Sequence, residues 1–350
     1  MIITRTPFRI SFFGGGTDYP GWYRQNGGAV LATTINKYCY LTCRYLPPFF
    51  EHRIRVVYSF IERCNEIDEI QHPSVRETLR HLNFSRGLEI HHDGDLPARS
   101  GMGSSSAFTV GLLNALHALQ GKFVGKKQLS MDSIHIEQNI LKEPVGSQDQ
   151  VMAAYGGFNR VVFAESGGIS VEPVIISQDR LKELSSHLLL FYTGIKRTAS
   201  DIAGTYVDSL HTKDRQLREM RGMVDEALRI ISGGEDIQKF GSLLHEAWVL
   251  KRSLGAKISN SELDQMYDEA RAAGAVGGKL TGAGGGGFLL LFAPPELHSK
   301  IKDSLQGVLH VPFDFESSGS RVIHFDHEED FSAAEQEKQR LGNVVYREFE

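Results

Sequence analysis

Cysteine is scarce in this 350-residue chain, with Cys39, Cys43 and Cys64 the only three. So sparse and odd a set builds no disulfide framework, and no nearby ligand pattern completes a zinc site. The thiols read as buried packing groups in a reducing setting. Long apolar runs are missing too. No stretch approaches the roughly 18 apolar residues that a membrane span takes, and Met1–Ser11 carries two arginines and a proline without an apolar run. No leader or membrane anchor is expected, and the cytoplasm is the expected location. There is no excess of basic charge: the net charge is −5, with acids and bases interspersed. That excludes a broad nucleic-acid-binding face but leaves room for a local cationic pocket. Internal repeats and disordered blocks are absent as well. With 41% hydrophobic and 23% charged residues the composition is globular, and the length exceeds one ordinary core, so two fused domains are expected.

Glycine is what the chain has in quantity, 36 residues with many in clusters. Closely spaced glycines let backbone N–H groups converge on one anion. The pattern predicts a strand over Ile2–Phe13 running into Gly14-Gly15-Gly16-Thr17-Asp18, and a β-rich stretch over Ala29–Tyr45. Leu88, Ile90 and His92 alternate with polar residues as a half-buried strand does. After a turn at Asp93–Pro97 and a glycine–serine loop, Phe108, Leu112, Ala115, Leu116 and Leu119 fall at helical spacing, and a second helix follows over about Gln128–Leu141. A meander is expected over Gly156–Val174, a strand over Leu188–Tyr192, helices from Ser200 to Gly274, and a strand over Phe288–Phe292 after the loop Gly282–Gly287. The residues from Glu328 read as a charged helix or tail. Without regular βαβ alternation the fold class is α+β, divided into domains at residues 1–180 and 181–350.

The loop Arg99-Ser100-Gly101-Met102-Gly103-Ser104-Ser105-Ser106-Ala107 sits where strand and turn give way to a helix. The first helical N–H groups have no intrahelical partner and the dipole is positive there, so an anion is favoured. One serine would serve as a helix cap; three after G-x-G exceed what a cap needs and can reach a phosphate oxygen or Mg²⁺. A P-loop is excluded, because Gly278-Lys279 is followed by Leu280 and preceded by Ala273 where the first glycine belongs. Gly282, Gly284 and Gly287 match G-x-G-x-x-G, but that loop leads into a strand, the wrong order for dinucleotide binding.

Thr17 and Asp18, beside an open glycine backbone, suit hydrogen bonding to sugar hydroxyls; an Asx-type turn is the alternative. Glu137 shares a predicted helix face with Ile134 and Leu141, and a carboxylate on an apolar stripe needs a cation, a metal or a raised pKa. With Asp149 in the polar loop that follows, the two suggest a metal ligand and a general base, or else a solvated pair.

Together these stretches resemble the GHMP kinases, the superfamily of galactokinase, homoserine kinase, mevalonate kinase and phosphomevalonate kinase. The three motifs that carry the resemblance are Pro7–Asp18, Pro97–Ala107 and Lys279–Gly286, in that order. The resemblance implies a two-domain fold with ATP and substrate in the cleft between the halves. Pro97, Arg99, Gly101, Met102, Gly103, Ser104, Ser105 and Ser106 would hold the nucleotide, and Ser105 and Glu137 would hold Mg²⁺. Asp149 would be the base, and Arg9 would assist it or neutralise charge. Gly15, Gly16, Thr17, Asp18, Thr198, Gly282, Ala283 and Gly284 would wall the acceptor site. Galactokinases carry Glu-His where this chain has Gly15-Gly16, which argues against galactose. Gly28–Leu31, Thr33–Tyr38 and Thr193–Ala199 resemble the bacterial D-glycero-D-manno-heptose 7-phosphate kinases, which phosphorylate the C1 hydroxyl on the way to GDP-heptose. A phosphorylated acceptor needs a cationic pocket, for which Lys37, Lys196 and Arg197 are candidates, each also readable as a solvated charge. The expected partners are ATP and a small sugar phosphate, and the chain is expected as a monomer or homodimer. An L-fucose kinase or a catalytically silent sugar and nucleotide sensor are the alternatives.

Overall fold

The computed structural model describes residues 1–195, 212–327 and 331–341. Strand β1 (Ile2–Phe13) runs into a glycine loop and the short helix α1 (Pro20–Asn26), and then pairs antiparallel along the 18-residue β2 (Gly28–Tyr45). Next come β3 (Ile54–Val57), β4 (Ile61–Cys64), α2 (Pro73–His81) and β5 (Leu88–Gly94). The helices α3 (Ser104–Leu119), α4 (Lys126–Ile134) and α5 (Gln148–Tyr155) pack beneath this sheet, followed by β6 (Phe158–Phe163) and β7 (Ile169–Pro173). Helix α6 (Gln178–Ser186) leads to β8 (Leu188–Tyr192). Then come α7 (Asp214–Ser232), α8 (Gln238–Arg252) and α9 (Ser261–Ala273), then β9 (Gly277–Leu280) and β10 (Phe288–Phe292). Helix α10 (His298–Ser304), β11 (Leu309–His310), β12 (Phe315–Glu316), β13 (Arg321–Phe325) and α11 (Ser332–Leu341) complete the order.

The first sheet has nine strands, with the path β13-β1-β2-β5-β3-β4; β12 and β6 also pair with β2, and β7 with β6. Among the described residues only β3 and β5 pair in parallel, so the sheet is mixed and mostly antiparallel. The second sheet is β11-β8-β10-β9 and antiparallel throughout. Helix α3 is apolar nearly all round, as a helix enclosed on every side must be. It approaches β1 closely at Gly111, whose carbonyl accepts from the Thr4 hydroxyl at 3.0 Å; a Cβ there would stand 2.8 Å from Thr6 Oγ1. Phe12 and Phe13 of β1 meet Phe240 of α8 edge-on at 5.5 and 5.1 Å, and Phe240 reaches Phe292 of β10 at 6.0 Å. This aromatic seam joins the two sheets behind the ends of their strands.

Among the described residues, the expected strands and helices lie at or within a few residues of where the pattern places them; the part of the helical expectation from Ser200 to His211 lies outside the described residues. The second helix differs in kind: α4 ends at Ile134 and the chain continues as a wider π-helical turn, His135–Ile140, which carries Glu137. The last strands were not foreseen. Although far along the chain, β12 and β13 return to the first sheet, where β13 flanks β1 in the register Ile2↔Phe325 to Arg5↔Arg321.

Candidate active site

The site assembles from three loops that leave the ends of strands. The first is the glycine–serine loop between β5 and α3. Gly101 and Gly103 both take left-handed backbone angles (φ +79° and +74°), which glycine adopts without strain. Ser104 Oγ accepts from the Arg99 amide at 3.1 Å, so this serine ties the loop to itself. Pro97, Arg99 and Ser105 are exposed; Met102 and Ser106 are buried. Ser106 donates to Glu137 Oε2 at 2.9 Å. The hydroxyl that touches Glu137 thus belongs to Ser106, whereas Ser105 faces outward at the start of α3, with its carbonyl accepting from the Thr109 hydroxyl at 3.2 Å.

Arg9 organises the centre. It is 4% exposed, and its guanidinium makes a bidentate pair with Asp149, Nε to Oδ1 and Nη2 to Oδ2, both at 2.7 Å. Its Nη1 donates to Gly101 O at 2.8 Å and its amide to Met102 O at 3.1 Å. One residue of β1 therefore fixes both the carboxylate and the phosphate-loop backbone. A Cβ on Gly103 would stand 3.5 Å from Asp149 Oδ2, so the loop and the carboxylate adjoin. Asp149 lies in the first turn of α5 and keeps a quarter of its side chain accessible.

Asp18 is 1% exposed. Its Oδ1 accepts from the Gly16 amide at 2.9 Å and its Oδ2 from the Gln148 amide at 3.3 Å, while its carbonyl accepts from the Ser147 amide at 2.9 Å. Burial, and then the charge of Asp149, push its carboxyl above the ordinary value. Thr17 is fully buried, its hydroxyl donating to Gly14 O at 2.8 Å and accepting from the Ala29 amide at 3.1 Å. In this structure both residues brace the Gly14–Tyr19 loop from within, Thr17 binding it to β2 and Asp18 to the segment that carries Asp149; Gly15 is half-buried.

Glu137 is fully buried, and burial lifts its carboxyl to about 7. Its Oε2 accepts from Ser106 and Gln150; its Oε1 is buried without a partner. Among the described residues no cluster of three or more His, Cys, Asp or Glu side chains could hold a metal by itself. A single carboxylate with one oxygen open, beside a hydroxyl-rich phosphate loop, instead fits Mg²⁺, which is commonly held by one or two carboxylates together with substrate phosphates.

The third loop, between β9 and β10, docks on the glycine–serine loop. Gly282 (φ +64°) lies so close to the phosphate loop that a Cβ there would stand 2.4 Å from Gly101 Cα, and a Cβ on Gly287 would stand 2.1 Å from Ser100 O. Gly284 also has positive φ, and Ala283 is half-buried. Two buried lysines hold this arrangement: Lys279, which the sequence offered only as part of the third motif, and Lys251, which it did not single out. Lys279 Nζ donates to the carbonyls of Ser11 and Phe12 at 3.0 and 2.8 Å. Lys251 Nζ, from the last turn of α8, donates to Gly282 O and to Leu280 O. Burial first, then Lys251 and Arg9, hold the Lys279 ammonium well below its ordinary value; burial and then Arg9 bring Lys251 to about 7.

A test of the buried ammonium follows from linkage. Unfolded, Lys251 keeps its proton up to about 10.5; folded, it releases it near 7, so unfolding takes up a proton between these values and rising pH favours the folded state. Wild type should therefore gain stability relative to Lys251→Met between pH 7 and 9.5, by on the order of 3 kcal/mol. Urea denaturation of both proteins at the two pH values measures this; a pH-independent difference would show that the folded ammonium stays protonated.

Lys37 lies half-buried on β2, between Thr34, which pairs with Arg9, and Tyr38, which pairs with Pro7. Lys196, Arg197 and Thr198 fall outside the described residues. No helix among the described residues is long and apolar enough to cross a membrane.

Comparison with known proteins agrees with this geometry. The GHMP kinases N terminal domain matches residues 71–157 and the GHMP kinases C terminal domain residues 223–310. The chain is 29% identical over 309 residues to a D-glycero-alpha-D-manno-heptose 7-phosphate kinase from Campylobacter jejuni, covering 84% of this chain and 90% of that protein. A crystal structure of a D-glycero-D-manno-heptose 1-phosphate kinase from Bacteroides thetaiotaomicron superposes with a TM-score of 0.77 at 22% identity, over 93% of this chain and all of the other. Streptococcus pneumoniae phosphomevalonate kinase, solved with phosphomevalonate and AMPPNP, superposes at 0.71 with 16% identity, over 90% of this chain and all of the other. With both family domains present in order around one loop-built centre, the chain belongs to the GHMP kinases, phosphotransferases that use an alcohol group as acceptor.

Proposed function

We propose that this protein is an ATP- and Mg²⁺-dependent sugar kinase that phosphorylates the C1 hydroxyl of D-glycero-D-manno-heptose 7-phosphate, giving the 1,7-bisphosphate for nucleotide-activated heptose in the cytoplasm. The observation that carries the kinase reading is the bidentate Arg9–Asp149 pair set against the phosphate loop at Gly101 and Gly103. The heptose assignment rests on the resemblance of the Thr33–Tyr38 and Thr193–Ala199 stretches and on the 29% identical relative.

In this reading the acceptor hydroxyl oxygen bonds to the γ-phosphorus as the bond from that phosphorus to the bridging oxygen of ADP breaks. The hydroxyl proton passes to Asp149, whose accessible edge faces the loop. Arg9 holds the carboxylate in place through the bidentate pair. Mg²⁺, when bound, would offset the phosphate charge, held by Glu137 and the hydroxyls that begin α3. Lys251 holds the carbonyls at the start of the third loop and Lys279 ties β9 to the end of β1, so that the nucleotide and acceptor walls stay in register.

Purified protein with ATP and Mg²⁺, screened against the heptose 7-phosphate, L-fucose and neutral hexoses and read by ADP release and phosphorus NMR, tests the assignment. The heptose 7-phosphate should be the fastest acceptor, with a new C1 phosphate signal. Faster turnover of L-fucose or a hexose would replace the substrate assignment; nucleotide binding without ADP release from any sugar would make the protein a sensor.

A further inference from the structure

Three consecutive residues, Gln148-Asp149-Gln150, open helix α5, and successive positions on a helix turn by about 100°, so Gln148 and Gln150 flank Asp149 on roughly opposite sides. Gln150 is turned toward Glu137, to which its amide donates. Gln148 is turned the other way, toward the first glycine loop: its Nε2 lies 3.7 Å from the point where a Cβ on Gly15 would stand. Among the described residues, chain neighbours aside, the other atom within 4 Å of that point is Ser11 Oγ, at 3.8 Å. Gln148 is 9% exposed and Ser11 4% exposed, and both Gln148 Oε1 and Ser11 Oγ are buried without a hydrogen-bond partner. A buried acceptor left open is costly, and such groups are rare in native proteins unless a ligand or water completes them. The main chains on both sides are fixed, the Gln148 amide by Asp18 and the Ser11 carbonyl by Lys279.

We propose that Gln148, with Ser11, is a specificity-determining pair that reads a second hydroxyl of the acceptor over Gly15, while Asp149 takes the proton from the reacting one. This rests on the kinase reading above. The glycine at position 15 leaves the space that the hydroxyl fills, and the Gln148 Nε2 that faces it donates to the hydroxyl oxygen, with Ser11 Oγ on hand to accept its proton. The helix thus divides its neighbours: Gln150 serves the carboxylate beside the phosphate loop, Gln148 the acceptor.

Gln148→Leu keeps the bulk and removes the polar group. With the acceptor that wild type turns over fastest, the variant should raise the acceptor KM about 10- to 100-fold and leave the ATP KM within about threefold. Across a panel of that acceptor's monodeoxy analogues, one analogue should lose a comparable factor with wild type and show no further loss with the variant, because the contact is already gone. Thermal unfolding checks that the variant folds, and Gln148→Met provides the same measurement should the leucine variant not fold. An unchanged acceptor KM, or an equal penalty on every analogue, overturns the assignment while wild-type turnover leaves the kinase reading intact. Wild type that releases no ADP with any sugar overturns both.

Discussion

Asp149→Asn should lower turnover by about 10²- to 10⁴-fold, the range that a positioned general base contributes, while the KM for ATP changes by no more than about threefold. Asparagine is nearly isosteric and can still accept one hydrogen bond from Arg9, so the loop geometry survives. What disappears is the second charge-assisted bond of the bidentate pair and the site that receives the proton. Steady-state ADP release with saturating acceptor measures the effect, and unchanged thermal unfolding shows that the fold is intact. Turnover above about a tenth of wild type would remove Asp149 from the role of base. The contrast with Arg9→Met is informative: that change also frees the Gly101 carbonyl, so it should raise the ATP KM as well as lower turnover.

The second large effect concerns Glu137, where stability and activity should move in opposite directions. Its carboxyl is lifted from the ordinary 4.5 to about 7 by burial, against which the bonds from Gln150 and Ser106 act only partly. Between these values the folded state binds more protons than the unfolded, so stability falls as pH rises through the window, and the whole penalty is present above pH 7. Glu137→Gln removes the buried charge. In metal-free buffer at pH 8 the variant should be more stable than wild type by on the order of 3 kcal/mol, and near pH 4 the difference should vanish. The same variant should lose about 10²- to 10³-fold in turnover, as removal of one electrostatic contact to developing charge does. Guanidinium denaturation at the two pH values and ADP release read the two halves. A variant less stable than wild type at pH 8 would mean that the carboxylate is compensated by something other than a bound cation.

Much of this site was legible because its parts are local. The phosphate loop needs only a strand, a turn and a helix start within a dozen residues, and the glycines and serines announce it. Glu137 and Asp149 lie close in sequence, and a carboxylate on an apolar stripe signals a special environment. The form of that environment was not legible: a π turn admits an extra residue per turn, so a period of 3.6 cannot show which side chain comes to face Ser106. The family resemblance pairs Ser105 with Glu137 as metal ligands; the hydroxyl that bonds the carboxylate in this structure is that of Ser106. The pairing of Arg9 with Asp149 spans 140 residues, and only the family resemblance brought the two together beforehand. Lys251 was invisible for the opposite reason. On an amphipathic helix, a lysine in the last turn reads as a favourable surface charge near the C-terminal dipole, and only the third loop folding over it makes it a buried donor. Strands β11 and β12 have two residues each, too few for any periodicity to register.

The return of β13 to β1 also has a temporal meaning. Thr6 on β1 and Ser320 just ahead of β13 share a hydrogen bond of 2.8 Å across 314 residues of chain. A ribosome delivers β13 some 314 residues after the part of β1 it flanks, so over that interval the first residues of β1 present an open edge on a largely apolar sheet. Nascent chains that stall or terminate before Arg321 would carry a folded-looking phosphate loop on a sheet still able to recruit a strand from elsewhere.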